Sequence, residues 1–388
     1  MISFDNTKIA FRSKSSRDLK RTYQLFRLVS NPKAVKFGKW LTNVALKFRL
    51  PIKWIIKRTI FRQFCGGESI AESLSVVNKL SDYGVRTILD YSVEGKIKEE
   101  DFDQTVNEII ATIQEAKNNP SIPFAVFKIT GICLFKILES ANDSIEDLKP
   151  EQRIQYDKLL ERVNRICRAA FENNIPLFID AEESWIQNTI DRIVKQMSLK
   201  YNKQRAIVFN TVQLYRHDKL EFLRKEIDDA KNGGYFIGMK LVRGAYMEKE
   251  RERANLMGYP SPIQANKECC DKDFNSALRI VLENIDRVAL CAGTHNELSS
   301  KQLVELMKEF SLQKDDPRIY FSQLYGMSDH ISFNLANNEY NVAKYVPYGP
   351  IKEVVPYLIR RAEENTSVAG QTSRELNLIM KERKRRKL

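Results

Sequence analysis

The chain holds only three histidines in 388 residues, His217, His295 and His330, and none belongs to an HExxH or HxH cluster. No conventional transition-metal centre is expected. Its six cysteines, Cys65, Cys133, Cys167, Cys269, Cys270 and Cys291, form neither a CxxC pair nor the regular framework of a small secreted domain. A reducing compartment is the expected home. No run of about 18 uncharged apolar residues occurs, so no transmembrane helix is expected. An apolar core before a small-residue cleavage site is also missing, which excludes a secretory signal. The Ser/Arg/Lys-rich start does fit an organellar transit peptide as an alternative to retained helices.

Acidic residues are scarce at the two ends. Residues 1–62 hold 16 Lys and Arg against two Asp, and residues 381–388 (KERKRRKL) hold six against one Glu. The whole chain carries +13, so these ends, at +14 and +5, leave a net −6 for everything between. The basic character therefore belongs to terminal segments, and a nucleic-acid groove across the main domain is not expected.

What is present is a rhythm. From residue 69 onward a periodic helical stretch, a short β-branched run and a turn recur. The apolar runs are 85–91 (VRTILDY), 124–129 (FAVFKI), 176–180 (PLFID), 206–212 (AIVFNTV), 235–242 (YFIGMKLV), 288–292 (VALCA), 318–323 (RIYFSQ) and 341–346 (NVAKYV). Helical patterns lie at 101–117, 151–172, 183–197, 219–231, 265–285, 297–310 and 350–364. Eight buried strands alternating with helices predict an α/β fold, a (β/α)₈ barrel with extra N-terminal helices. The alternative is an open doubly wound sheet, which lacks its GxGxxG after the first strand.

In a barrel the chemistry sits at the C-terminal ends of the strands. Those ends read Asp90, Lys128, Asp180, Gln213, Lys240 with Arg243, Thr294 with His295, Gln323 and Tyr345. Core-facing positions should be Val, Ile or Leu, so polar residues at the same end of every strand predict a partly cationic pocket. The stretch GMKLVRGAY is the sharpest instance. An apolar strand runs into two cations and then into Gly244 and Ala245, where the backbone can approach a ligand closely.

The series FKITG, FIDAEES, VQLYRHD, KLVRGAY, AGTHN, QLYGM, YVPYG and YLIRRAEEN, in this order, resembles the proline dehydrogenase family from about residue 66 to 368. The resemblance implies a distorted (β/α)₈ barrel holding noncovalent FAD over the strand ends and oxidising L-proline to Δ1-pyrroline-5-carboxylate. It implies that Ala181, Gln213, Lys240, Val242, Arg243, Gly244, Ala245, Tyr246, Thr294, His295, Asn296, Gln323 and Glu364 line the cofactor. Lys240 stands where the family often has Arg, and a lysine makes one point contact where arginine makes a fork. For the substrate, Arg360 and Arg361 would clamp the carboxylate with Lys128 opposite. Tyr345 would pack over the ring, and Asp180 would hold the cations in place, acting with Lys240 in catalysis.

The resemblance also implies electron transfer to a membrane quinone. Residues 36–61 mix Trp, Phe, Leu and Ile with Lys and Arg and contain no acid, the composition of an element lying on an anionic membrane surface. The same helices could instead pack on the barrel. Three regions are expected: a basic helical segment 1–65, the FAD-binding barrel 66–370 and a basic tail 371–388. A separate pyrroline-5-carboxylate dehydrogenase would take the product. The expected location is cytoplasmic, peripheral on the inner face of the cell membrane, or mitochondrial in a eukaryote. Two other classes stay open: another flavin amine oxidase or Schiff-base lyase using Lys128, and a basic binding protein on a barrel scaffold.

Overall fold

The computed structural model describes residues 2–31, 33, 35, 38, 53–93, 97–367 and 371–388, with backbone alone for 362–367 and 371–373. Eight parallel strands close into a barrel in sequence order. They are β1 (Arg86–Tyr91), β2 (Phe124–Lys128), β3 (Leu177–Asp180), β4 (Val208–Gln213), β5 (Ile237–Val242), β6 (Val288–Gly293), β7 (Ile319–Leu324) and β8 (Val342–Tyr348). Each lies within two residues of its expected bounds. Helices cover their outer faces, which is why the runs read as continuously apolar. The seven expected helices are present, from Glu99–Asn118 through Ile351–Ser367.

Residues Gly95–Ser322 form one compact unit. Inside its part of the barrel the first layer is aromatic. Phe124 stacks on Phe178 with centroids 4.5 Å apart, and Phe209 and Tyr320 meet Phe124 edge-on at 5.8 and 4.8 Å. Gly238 makes room for this plug, since a Cβ there would lie 2.2 Å from Phe209. Strand side chains alternate with period two, so the next inward layers are Val126 and Lys128, Asp180, Thr211 and Gln213, and Lys240. A sealed apolar floor under a polar mouth follows directly from the sequence.

One helix of this unit, Met247–Met257, escaped the periodic reading because MEKERERANLM is charged almost all round. Specific contacts hold it instead. The fully buried Glu250 accepts from Ser184 N and Oγ at 2.6 Å each, Lys249 pairs with Glu183, and Arg253 lies 4.4 Å over Trp185.

Met1–Glu94 and Gln323–Leu388 form the other unit. Here β1 pairs with β8, Ile88 opposite Tyr345 and Asp90 opposite Pro347. The strand runs on to Tyr348, so Tyr345 lies in its middle and does not end it as the sequence suggested. The extension is held by Gly66, whose N–H donates to Pro347 O, and by the bridge from Gly67 to Tyr348. Residues 371–388, read as a basic tail, are helical over Gln371–Arg385. Leu378 and Ile379 pack with Ala10, Phe11, Leu19 and Phe26 of the N-terminal segment. Arg385 and Arg386 both converge on the buried Glu382, which offsets part of the tail's charge within the fold.

Candidate active site

Lys128 and Asp180 are paired across β2 and β3 in the strand register. Lys128 Nζ donates to Asp180 Oδ2 at 3.0 Å, and Lys240 Nζ from β5 donates to the other carboxylate oxygen. Lys240 also sits 5.5 Å above the Phe178 ring, on the apolar floor. Lys240 is 5% exposed and Asp180 7%, so the three charges interact in a poorly screened environment. Burial alone would raise the Asp180 carboxyl. The charges of Lys240 and Lys128 outweigh it and hold the group well below the ordinary carboxylate range. Two cations from different strands thus meet on one carboxylate at the barrel mouth.

Beside this cluster stands Glu182, absent from the sequence-derived set. It is 4% exposed and accepts from Thr130 N at 3.0 Å and Thr130 Oγ1 at 2.5 Å. Burial pushes it up to about 7, against the two Thr130 hydrogen bonds and with help from the neighbouring Glu183. The signal was present in the sequence: Thr130 and Glu182 each follow a paired site residue by two positions and so share its face.

Gln213, at the end of β4, donates through Nε2 to Glu182 O at 2.8 Å. Its Oε1 is buried and has no hydrogen-bond partner among the described residues. An unmet buried acceptor costs about 1–3 kcal/mol, so its position suits a ligand N–H.

Arg243, expected beside the cofactor, is held at the strand ends by three side-chain hydrogen bonds. Its Nε donates to Asp271 at 2.7 Å, Nη1 to Thr294 Oγ1 at 2.7 Å and Nη2 to Ser299 Oγ at 2.9 Å, with the guanidinium 4.4 Å over Phe274. It braces the mouth from behind. Beyond it Gly244 and Ala245 are exposed, and Gly244 has φ +137° with Tyr215 so close that a Cβ would lie 2.5 Å from its ring. Asn296 is also occupied: its Oδ1 caps the helix Glu297–Glu309 by accepting from Leu298 N and Ser299 N. Ala181 is buried, and Val242, Tyr246 and His295 are half-buried around the same strand ends.

In the other unit Gln323 is buried and accepts from Ser332 Oγ at 2.7 Å. Tyr345 is buried on β8, and Arg361 lies 5.2 Å over the Tyr357 ring on the helix Ile351–Ser367, with Arg360 half-buried beside it. Glu364 belongs to the same helix, and its side chain lies outside the described residues.

A closed parallel barrel with a buried carboxylate shared by two lysines at its strand ends is an α/β-barrel enzyme. Residues 73–374 match the family described as proline dehydrogenase. Proline dehydrogenase 1, mitochondrial, of Dictyostelium discoideum is 30% identical over 99% of this chain and 75% of its own length. Hydroxyproline dehydrogenase of Xenopus laevis is 29% identical over 97% of this chain and 88% of its own. The crystal structure of proline utilization A from Bdellovibrio bacteriovorus, inactivated by N-propargylglycine, superposes with a TM-score of 0.73 at 19% identity, covering 93% of this chain. The chain spans 38% of that protein's length. The chain belongs to the proline dehydrogenase family.

Proposed function

We propose that this enzyme oxidises L-proline to Δ1-pyrroline-5-carboxylate with FAD, and that its electrons pass to a membrane quinone. The observation that carries the reading is membership of the family, together with the Lys128–Asp180–Lys240 cluster, which sets two cations at the strand ends where a substrate would lie. The residues present fit the cofactor. Gln213 offers an unmet acceptor to an N–H edge, Gly244 and Ala245 leave the backbone open, and Lys240 supplies a buried positive charge. Ala181, Val242, Tyr246, Thr294 and His295 would complete that lining, with Gln323 and Glu364 assigned from the motif alone. FAD, when bound, supplies the two-electron acceptor that takes a hydride at N5.

The chain's own part is position and charge. Arg360 and Arg361 hold the substrate carboxylate by forked hydrogen bonds and Lys128 adds a point charge. Asp180 keeps Lys128 and Lys240 charged and aimed. The amine first gives its extra proton to water. The hydride leaves the ring carbon beside nitrogen on the side away from the carboxylate, and the nitrogen lone pair closes the C=N bond as an iminium. Loss of its N–H proton to water gives the imine. Anaerobic addition of L-proline to the purified yellow protein should bleach the flavin absorbance. Arg360→Ala should need about tenfold more proline or beyond for half-bleaching, because a charge-assisted contact is lost. A flavin that proline does not reduce would reject the whole reading.

The relative named hydroxyproline dehydrogenase makes a 4-hydroxylated ring the second candidate substrate. Tyr345 is the proposed selector, since a buried aromatic ring at the substrate leaves a hydroxyl crowded and without a partner. Discrimination of about ten- to a hundredfold in favour of proline is expected from an unpaired hydroxyl. Tyr345→Ser should lose proline activity faster than hydroxyproline activity. An unchanged ratio of the two kcat/KM values would remove Tyr345 from this role.

The quinone is a lipid, so the enzyme must reach a membrane surface. Among the described residues no helix is long and apolar enough to cross one. Trp54 and Ile55 are 62% and 55% exposed beside Lys53, Lys57 and Arg58, with the Arg58 guanidinium 4.3 Å over the Trp54 ring. Residues 36, 37 and 39–52 of the expected interfacial stretch lie outside the described residues. Deleting residues 1–62 would strip Phe11, Leu19 and Phe26 from the core, so point substitutions are the cleaner test. Trp54→Ser with Ile55→Ser should weaken binding to anionic vesicles severalfold and leave turnover with a soluble dye unchanged. Equal vesicle binding would show that this surface is not the anchor. A separate dehydrogenase consuming the product, and a mitochondrial location in a eukaryote, complete the proposal.

A further inference from the structure

We propose that Glu182 and Thr130 are positioning residues for Lys128, extending the β2–β3 register past the strand ends and fixing where the Lys128 ammonium meets a substrate carboxylate. The inference rests on the reading of Lys128 as a substrate-binding residue.

The strand register sets Lys128 opposite Asp180. Advancing two residues on both chains keeps the same face and sets Thr130 opposite Glu182. Backbone pairing of the two strands has ended there, and side chains take over. Thr130 N donates to Glu182 Oε1 and Thr130 Oγ1 to Oε2. The short turn Ile129–Gly131, which begins one residue after Lys128, is thereby tied to the end of β3.

The clamp can hold because Glu182 is itself fixed. Its N–H donates to Gln187 Oε1 at 2.9 Å, and its carbonyl accepts from Gln213. Gln187 is fully buried and donates onward to Asp191 Oδ1 at 2.8 Å, whose Oδ2 accepts from the buried Lys219 at 2.7 Å. This chain runs behind the site and anchors it to the helix Ser184–Tyr201. Among the described residues Glu182 makes no ion pair, although it is a buried carboxyl. A purely packing role would be served better by an uncharged side chain. Its two oxygens instead match the two donors of Thr130.

The same chain gives the clamp a second consequence. Gln213, with its unmet Oε1, and Thr130 hold the same residue from opposite sides. Gln213 grips the backbone carbonyl of Glu182, which a side-chain substitution leaves in place, so truncating Glu182 should spare the proposed cofactor edge. Loss of Thr130's hydroxyl should disturb only the substrate side.

The test uses the flavin-loaded enzyme and two readouts: kcat and KM for L-proline, and calorimetric Kd for cyclopentanecarboxylate, which keeps the ring and carboxylate and lacks the amine. Glu182→Ala should raise KM and the probe Kd about tenfold with kcat changed by about twofold or less, the loss of one well-formed polar contact. Thr130→Val should move both constants the same way by about threefold. Glu182→Gln should restore both, because its amide still accepts from Thr130 N–H and can donate to Thr130 Oγ1. A fall in kcat with unchanged KM and Kd, or a Gln variant as impaired as Ala, overturns the assignment. Should Glu182→Ala fail to fold, Thr130→Val decides alone. Lys128→Ala separates the two levels. If it leaves the probe affinity intact, the reading of Lys128 fails and this inference falls with it. If it weakens the probe while the Glu182 and Thr130 variants do not, only this inference fails.

Discussion

Asp180→Ala is expected to lower proline turnover by about a hundredfold to ten-thousandfold, the combined loss of two charge-assisted contacts at roughly 1.5–3 kcal/mol each. Asp180 is the one carboxylate that Lys128 and Lys240 share. Removing it takes away the carboxylate on which the half-buried Lys128 and the buried Lys240 meet. Each would then lose the contact that aims it, and the site would lose its shape. Asp180→Asn should rescue little, since one side of its amide presents hydrogens to a lysine. Pairing Asp180→Ala with Lys128→Met should cost much less than the two single effects added together, because both remove one interaction. Turnover within about tenfold of wild type in Asp180→Ala would show that the cluster is structural only.

The steadiness of Asp180 also bears on pH. A carboxyl held below its ordinary range stays ionised across the neutral region, so an inflection in rate near pH 7 would not come from it. Its stability contribution is present above the unfolded value near pH 4 and is lost only as pH falls through the lower folded value. Within this cluster Glu182, pushed up to about 7, is the group placed to titrate there.

The barrel was legible in the sequence because its strands are buried on both faces and separated by amphipathic helices. Those features are local, and so the bounds of β1 to β8 fell within two residues. The polar layer was legible for the same reason, since Lys128, Asp180, Gln213 and Lys240 each stand at the end of an apolar run. What a linear reading missed was who pairs with whom. The motif marks Asp180 as a partner of Lys128, and the fold adds Lys240, two strands away in the barrel. Arg243 reads as a cofactor cation by motif, and the contacts that occupy it come from Asp271, Thr294 and Ser299, at least 28 residues distant. The helix Met247–Met257 was invisible because its stability comes from Glu250 and Arg253 meeting the β3 exit, not from an apolar stripe. The C-terminal helix was obscured by the charge of KERKRRKL, part of which is matched inside the fold by Glu382.

Asp329→Ala is expected to cost about 3–5 kcal/mol of folding stability, the penalty for stranding a buried cation, against a total margin of only about 5–15 kcal/mol. Lys344 on β8 is fully buried, and its ammonium reaches Asp329 Oδ1 at 2.9 Å and the carbonyl of Met327. Lys14 pairs with Asp329 Oδ2 at 3.2 Å. Burial would raise Asp329, yet Lys344 and Lys14 hold it down to about 2. Since this folded value lies below the unfolded one, the carboxylate supports the fold fully above about pH 4 and progressively less as pH falls towards 2, a contribution of roughly 2 kcal/mol. The substitution should therefore lower the urea midpoint strongly at pH 7, and its cost should be about 1 kcal/mol smaller near pH 3. Asp329→Leu combined with Lys344→Met should recover most of the loss, because a buried ion pair replaced by well-packed apolar groups is close to neutral. Lys14, 16% exposed at its side chain, can turn to water in that double variant. Asp329 lies in the unit that also carries β8 and the helix of Arg360 and Arg361, so partial loosening should be seen as raised proline KM before global unfolding. An Asp329→Ala protein as stable as wild type at pH 7 would mean that Lys344 finds another anion or loses its proton without cost, and would remove this pair as the anchor of β8.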